Sequence, residues 1–144
     1  MAIGTDQAEV EAGCGLVPRM VSARMPSPTV VTLARDRRVV ASRCVVADRP
    51  WSRLRGLLGR RSLADGEGLL IVPAASIHTV GMRFAIDALF LDRAGVVLAT
   101  VEDLRPWCMA GCRGAKAVLE LPAGSARRAG VGDGDMLRFA ATGA

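Results

Sequence analysis

The chain's only histidine, His78, lies close in sequence to Arg83 and Asp87, within a stretch, residues 76–92, otherwise dominated by Ile77, Met82, Phe84, Ile86, Leu89, Phe90 and Leu91. These three residue types could do chemistry together. Imidazole titrates near neutrality, a guanidinium fork grips carboxylates or phosphates, and an aspartate can orient either one. Residues 86–91 read as a strand buried on both faces, since they are apolar and follow the break at Gly81. Period-two alternation then puts Asp87 on one face with Leu89 and Leu91, and Ile86, Ala88 and Phe90 on the other. A carboxylate among leucines needs a partner, because an unpaired buried charge is costly. Arg83 and His78 are the nearest donors along the chain and are the expected partners. One reading is a structural pair that pins a loop to the strand, and it is favoured because structural ion pairs gather the same residue types. The other is a ligand-binding cleft lined by His78, Thr79, Arg83 and Asp87, with Arg83 holding an anionic group.

A second candidate is basic. Arg49, Arg53, Arg55, Arg60 and Arg61 crowd the segment P-W-S-R-L-R-G-L-L-G-R-R and the residue before it. Asp48 can cap a helix there, Pro50 suits its first turn, and Trp51, Leu54, Leu57 and Leu58 share one stripe, so a short helix over about residues 50–60 is expected. Its arginine face reads as the solvated side of an amphipathic segment. The alternative is a docking surface for a partner protein or anionic surface, joined by the Trp107 loop.

The cysteines carry little chemistry. Cys14, Cys44, Cys108 and Cys112 have no secretory h-region ahead of them, so reduced thiols in the cytoplasm are expected. Cys108 and Cys112, in C-M-A-G-C, are too widely spaced for C-x-x-C, and one histidine plus Cys44 is a thin ligand supply, so no metal and no cofactor are expected. Residues 130–134 contain a glycine-rich run without a following helix, which excludes a Walker or Rossmann signature.

The elements that must position these groups are mainly strands. Residues 29–33 and 39–46 read as an opening hairpin about Asp36-Arg37-Arg38, and residues 69–72, 86–91, 96–101, 117–121 and 136–140 as further strands. Residues 103–113 read as an irregular loop that packs one aromatic, Trp107. Residues 124–130 form one helical turn closed by glycine. In the strand at 117–121, Glu120 faces away from Leu119 and Leu121. The pattern predicts a β-sandwich or a partly open barrel, as one domain over residues 29–141 behind a disordered leader, residues 1–28, within which Met20 or Met25 could be the true start. No run is apolar enough to span a bilayer.

Composition narrows the partners. The 144 residues carry 19 Lys plus Arg against 14 Asp plus Glu, a net charge of +5, and Lys116 is the only lysine. That balance favours polyanions in general. Yet Trp51, Trp107, Phe84, Phe90 and Phe139 are too few rings for a base-stacking sheet, so no sequence-specific nucleic acid is expected.

Several linked motifs carry a family likeness: R-L-R-G-L-L-G-R (53–60), the strand at 68–72, I-H-T-x-x-M-R-F-x-I-D-x-x-F-L-D (77–92), P-W (106–107), and V-L-E-L-P-A-G (118–124) followed by G-V-x-x-G-D. In this order they resemble the bacterial and archaeal family known as domain of unknown function 192. The resemblance covers roughly residues 41–139. It implies a mainly β, jelly-roll-like domain, occurring free or behind an export signal or lipid anchor, and this chain looks like a free form. Asp87 and Glu120 match motif positions, and the resemblance thereby adds Glu120 to His78, Arg83 and Asp87 as residues expected to shape one polar pocket. Many relatives carry F-W-M-K-N-T near His78, and closer ones have proline where Ala85 stands. The resemblance brings no mechanism.

The reading that asks least is a non-catalytic domain binding a small polar or anionic ligand in the cleft around His78 and Asp87. A protein-interaction module working through residues 49–61 comes second. An enzyme with a His78/Asp87 acid–base pair comes last, because no nucleophile, metal or nucleotide motif accompanies it.

Overall fold

Each long run of β-branched and apolar residues becomes a strand. The computed structural model describes residues 28–49 and 56–142. Within them are β1 (Thr29–Leu33), β2 (Val39–Ala47), β3 (Glu67–Ile71), β4 (Ser76–His78), β5 (Ile86–Leu91), β6 (Val97–Leu104), β7 (Met109–Gly111), β8 (Ala117–Pro122), one helix, α1 (Ser125–Ala129), and β9 (Leu137–Ala141). Side chains set the turns. Asp36 Oδ1 accepts from the Arg38 N–H at 3.0 Å in the first hairpin. In the β5–β6 hairpin, Asp92 Oδ1 accepts from the N–H groups of Ala94 and Val96 at 2.7 and 2.9 Å.

Seven strands form one sheet in the order β6-β5-β8-β3-β2-β1-β9, and β4 and β7 form a separate two-stranded ribbon. Only β2 and β3 run parallel. The sheet curls until its outer strands nearly meet: Val96 bridges Met136, the Val97 N–H donates to the Asp135 carbonyl at 2.8 Å, and the Leu137 N–H donates to the Gly95 carbonyl at 2.9 Å. The result is a mainly β fold, a half-barrel open along one side.

Because every residue of β5 and β8 is buried, the sheet has a core on each face. The concave core gathers Val31, Leu33, Leu70, Leu89, Leu119, Leu121 and Leu137 with Ala126 and Ala129 of α1. The convex core gathers Leu69, Ile71, Ala88, Phe90 and Val118 beneath Leu57, Leu63, Ile77 and Met82. Each fully buried leucine or phenylalanine contributes about 1.5–3 kcal/mol of transfer free energy. The ribbon therefore sits on the convex face, held by Ile77.

One expectation needs correction, and another is reached by the described residues only at its end. The helix expected over about residues 50–60 falls partly outside the described residues, and where the chain is described again residues 56–59 form a turn. Gly56 (φ 46°) and Gly59 (φ 82°) adopt left-handed backbone there, which glycine permits and a helix does not. The helical turn at 124–130 is α1, closed by Gly130 with φ 71°. The stretch 103–113 contains β7 and the end of β6, which extends to Leu104. A three-residue strand shows no periodicity of its own, so only its pairing with β4 reveals it. Residues 1–27 of the expected leader lie outside the described residues.

Candidate functional site

Asp87 is completely buried on the concave side of β5, and its partners are neither Arg83 nor His78. The Asp103 N–H donates to Asp87 Oδ1 at 2.9 Å and the Ala126 N–H donates to Oδ2 at 3.0 Å. Helix α1 begins at Gly124, which offers no side-chain cap, so Asp87 caps it from another strand. The same carboxylate ties down Asp103, whose φ of 52° turns the chain at the end of β6. The expected pair with Arg83 or His78 is not made; Asp87 instead joins β5 to the backbone of Asp103 and of α1.

Glu120 faces the other way. It stands beside Ala88 of β5 and Leu69 of β3 in the register, on the convex face, whereas Asp87 stands beside Leu121 on the concave one. Only 3% of Glu120 is exposed, and among the described residues its Oε2 has no hydrogen-bond partner. Burial pushes its carboxyl up to about 7.

The remaining cleft candidates also separate. His78 and Arg83 are exposed, while Thr79 between them is fully buried. Thr79 Oγ1 donates to the Arg105 carbonyl at 2.6 Å and accepts from the Cys108 N–H at 2.9 Å. Its own N–H donates to the Cys108 carbonyl at 2.8 Å, and its carbonyl accepts from the N–H groups of Trp107 and Met82 at 3.0 and 3.1 Å. One buried threonine thus organises the whole 105–108 turn. The structure does not gather His78, Thr79, Arg83, Asp87 and Glu120 into one cleft.

What Thr79 holds in place is an apolar platform. Trp107, expected to pack, is 71% exposed, with φ 65°, and Met109 is 78% exposed. Backbone in that region costs a non-glycine residue about 1–2 kcal/mol. Met109 is the cross-strand partner of His78, so their side chains share the outer face of the ribbon, while Ile77 points into the core. Val80, 41% exposed, adjoins them.

Charge marks the same region. Residues 72–86 and 104–116 carry Arg83, Arg105, Arg113 and Lys116 and no Asp or Glu. All four are exposed, and among the described residues none makes an ion pair. Four other arginines are matched, Arg35 with Asp135, Arg60 with Glu67, Arg127 with Glu102 and Arg128 with Asp65, at 2.8–3.2 Å, while Arg37, Arg43, Arg61, Arg93 and Arg138 likewise make no ion pair among the described residues. The signal that could have located the platform was this carboxylate-free composition around Trp107.

Of the basic segment, Arg53 and Arg55 lie outside the described residues, Arg61 is exposed, and Arg60 donates to Glu67 at 2.8 Å. The Ala64 N–H, with Arg60 beside it, holds the Glu67 carboxyl below its ordinary value. A cavity of about 270 Å³ lies here, lined by Arg43, Val45, Leu57, Arg60, Glu67 and Leu69 among others. Cys44 is a buried thiol pushed up to about 12 by desolvation, and Cys108 and Cys112 are half-buried and free. Among the described residues no group of three or more His, Cys, Asp or Glu converges as a metal site would require.

Comparison with known proteins adds a family. The family model described as DUF192, uncharacterized ACR, matches residues 31–139. No curated protein matches the chain. A crystal structure of a protein of unknown function from Novosphingobium aromaticivorans DSM 12444 is similar, with 26% identity and a TM-score of 0.67, covering 77% of this chain and 83% of that one. A proposed transcription regulator from Sinorhizobium meliloti 1021 shares 26% identity at a TM-score of 0.70, covering 81% of this chain and 97% of its own.

Proposed function

This chain belongs to the DUF192 family, and from that premise we propose that it is a non-catalytic docking domain whose working surface is the β4–β7 ribbon. The carrying observation is Trp107. A large apolar ring is held in solvent, on strained backbone, by hydrogen bonds to a fully buried threonine. Left free, such a ring would fold back onto the core and gain transfer free energy. Exposed tryptophan is also the residue type most enriched among binding hot spots. The convex core beneath the ribbon makes the platform rigid, which lowers the ordering cost of association.

Turnover is disfavoured by the same geometry. Asp87 is committed to two backbone N–H groups on the concave side, and His78 points away from the convex core that encloses Glu120. No acid–base pair results. The three described free thiols support a reducing compartment, the cytoplasm. Among the described residues no helix is long and apolar enough to cross a membrane. The regulator role proposed for the Sinorhizobium relative agrees with a protein that acts by docking.

The test is a photocrosslinking side chain placed at Met109 in the full chain, with Val39 as control, 52% exposed on β2. Irradiation in cells is expected to give discrete adducts at position 109 and none at 39. Equal labelling at both positions, or none at either, overturns the docking reading.

A second reading, a small-anion site, rests on the Arg43–Arg60 cavity. Arg60 is committed to Glu67 there, so Arg43, unpaired among the described residues, is the guanidinium that with the apolar wall would take a carboxylate on a short hydrocarbon. Calorimetric titration with a short branched carboxylate, weakened in Arg43→Gln, tests it.

A further inference from the structure

We infer that the β4–β7 ribbon takes an extended, carboxylate-bearing segment of another protein, laid along the outer edge of β7. This rests on the docking reading and names the partner's chemistry. The ladder between the two short strands runs through Ala75–Cys112 and Thr79–Cys108, where the Cys112 N–H meets the Ala75 carbonyl at 2.9 Å and the Thr79 N–H meets the Cys108 carbonyl at 2.8 Å. Alternation therefore turns the N–H and C=O of Met109 and Gly111 outward. None of these four groups has a partner among the described residues, and both residues are exposed. An edge of this kind pairs with an added strand, as in β-augmentation.

The flanks specify what kind of strand. Arg105 precedes and Arg113 follows β7 on the same segment, with Trp107 and Met109 between them, so a segment along this edge meets guanidinium, apolar, then guanidinium groups. Guanidinium forks without carboxylate partners suit Asp or Glu side chains bidentately. Like charges are excluded by the absence of any acidic residue in residues 72–86 and 104–116.

An anionic lipid surface would share the charge and the tryptophan. It is disfavoured by the edge itself, because hydrocarbon offers no partners for the outward N–H and C=O groups beside Trp107. A nucleic acid strand would use the arginines and the ring but would leave the same backbone groups unmatched. With three residues in β7, the backbone alone gives a short ladder, so the apolar and charged contacts must supply most of the affinity.

The experiment pans a random decapeptide display library on the full chain and measures the most enriched peptide by fluorescence anisotropy. Enriched sequences are expected to alternate Asp or Glu with apolar residues. Binding should weaken at least tenfold in Trp107→Gly, which keeps the left-handed backbone while removing the ring, and in Arg105→Glu with Arg113→Glu. The amides of Met109 and Gly111 should gain protection from hydrogen exchange in the complex. Enrichment of neutral or basic peptides, recovery of no binder, or binding indifferent to Trp107→Gly overturns the inference. Preferential, Trp107-dependent binding of phosphatidylglycerol vesicles or of oligo-dT, run in parallel, also overturns it. If adducts at Met109 form in cells while any of these results holds, only the partner class fails; if adducts are absent, the docking reading fails with it.

Discussion

Asp87 and Glu120 are buried carboxylates on adjacent strands, and they occupy opposite faces of the sheet with opposite supplies of hydrogen-bond donors. On the concave face Asp87 accepts two backbone hydrogen bonds and joins β5 to β6 and α1. On the convex face Glu120 lies among Leu69 and Ala88, its Oε2 unmatched among the described residues. The difference teaches that burial alone does not mark a functional acid. What matters is whether the fold supplies donors, because a satisfied carboxylate becomes a structural joint while an unsatisfied one keeps its proton toward neutral pH.

The comparison can be broken most strongly at Asp87. Replacement by alanine orphans two backbone N–H groups and removes two charge-assisted bonds, an expected loss of about 3–5 kcal/mol in unfolding free energy. Urea denaturation at neutral pH measures it. A loss under about 1 kcal/mol would show that water replaces the carboxylate and that the contrast with Glu120 is empty.

Glu120 is sharpened by pH. Its folded value, about 7, lies above the ordinary 4.5, so the folded state holds the proton more tightly than the unfolded chain. Its part in stability is therefore complete below about pH 4.5 and is lost as pH rises through about 7, by on the order of 3 kcal/mol. Glu120→Gln is expected to flatten that decline and to be the more stable protein at pH 8. Parallel pH curves for the two proteins would mean that a hydrogen-bond partner reaches the carboxylate in solution.

Thr79 is the third case, a neutral buried group with every partner present. Thr79→Val keeps the shape but leaves the Arg105 carbonyl and the Cys108 N–H unmatched, an expected cost of about 1–3 kcal/mol. The effect should be local, because the ribbon hangs on the convex face by few elements. Hydrogen exchange should quicken at Trp107 and Cys108 while the amides of β5 and β8 stay protected. Uniform loss of protection would place Thr79 in the same cooperative unit as Asp87.

The proposed docking surface lies beside that threonine, on the side of the sheet that Asp87 does not reach. The ribbon sets an exposed Trp107 on left-handed backbone among cations in a stretch free of carboxylates, whereas Arg35, Arg60, Arg127 and Arg128 are neutralised in place. Pairing limits what a surface arginine can recruit; the ribbon's arginines are uncommitted.

From residues alone, period and turn chemistry determined the spans of β1, β2, β5 and β8, the hairpin at Asp92–Gly95, the glycine-closed α1, and the placing of Asp87 with Leu89 and Leu91. These are local properties, set by alternation and by backbone that few residue types tolerate. Tertiary structure decided the rest. Asp87 lies 16 residues from Asp103 and 39 from Ala126, so no sequence neighbour could reveal its donors. That Asp87 and Glu120 do not meet follows from the β5–β8 register, in which Asp87 aligns with Leu121. β4 and β7 are each too short to show a period and exist because each satisfies the other's backbone. Trp107, expected to pack, is instead held outward where its N–H meets the carbonyl of Thr79, 28 residues away along the chain.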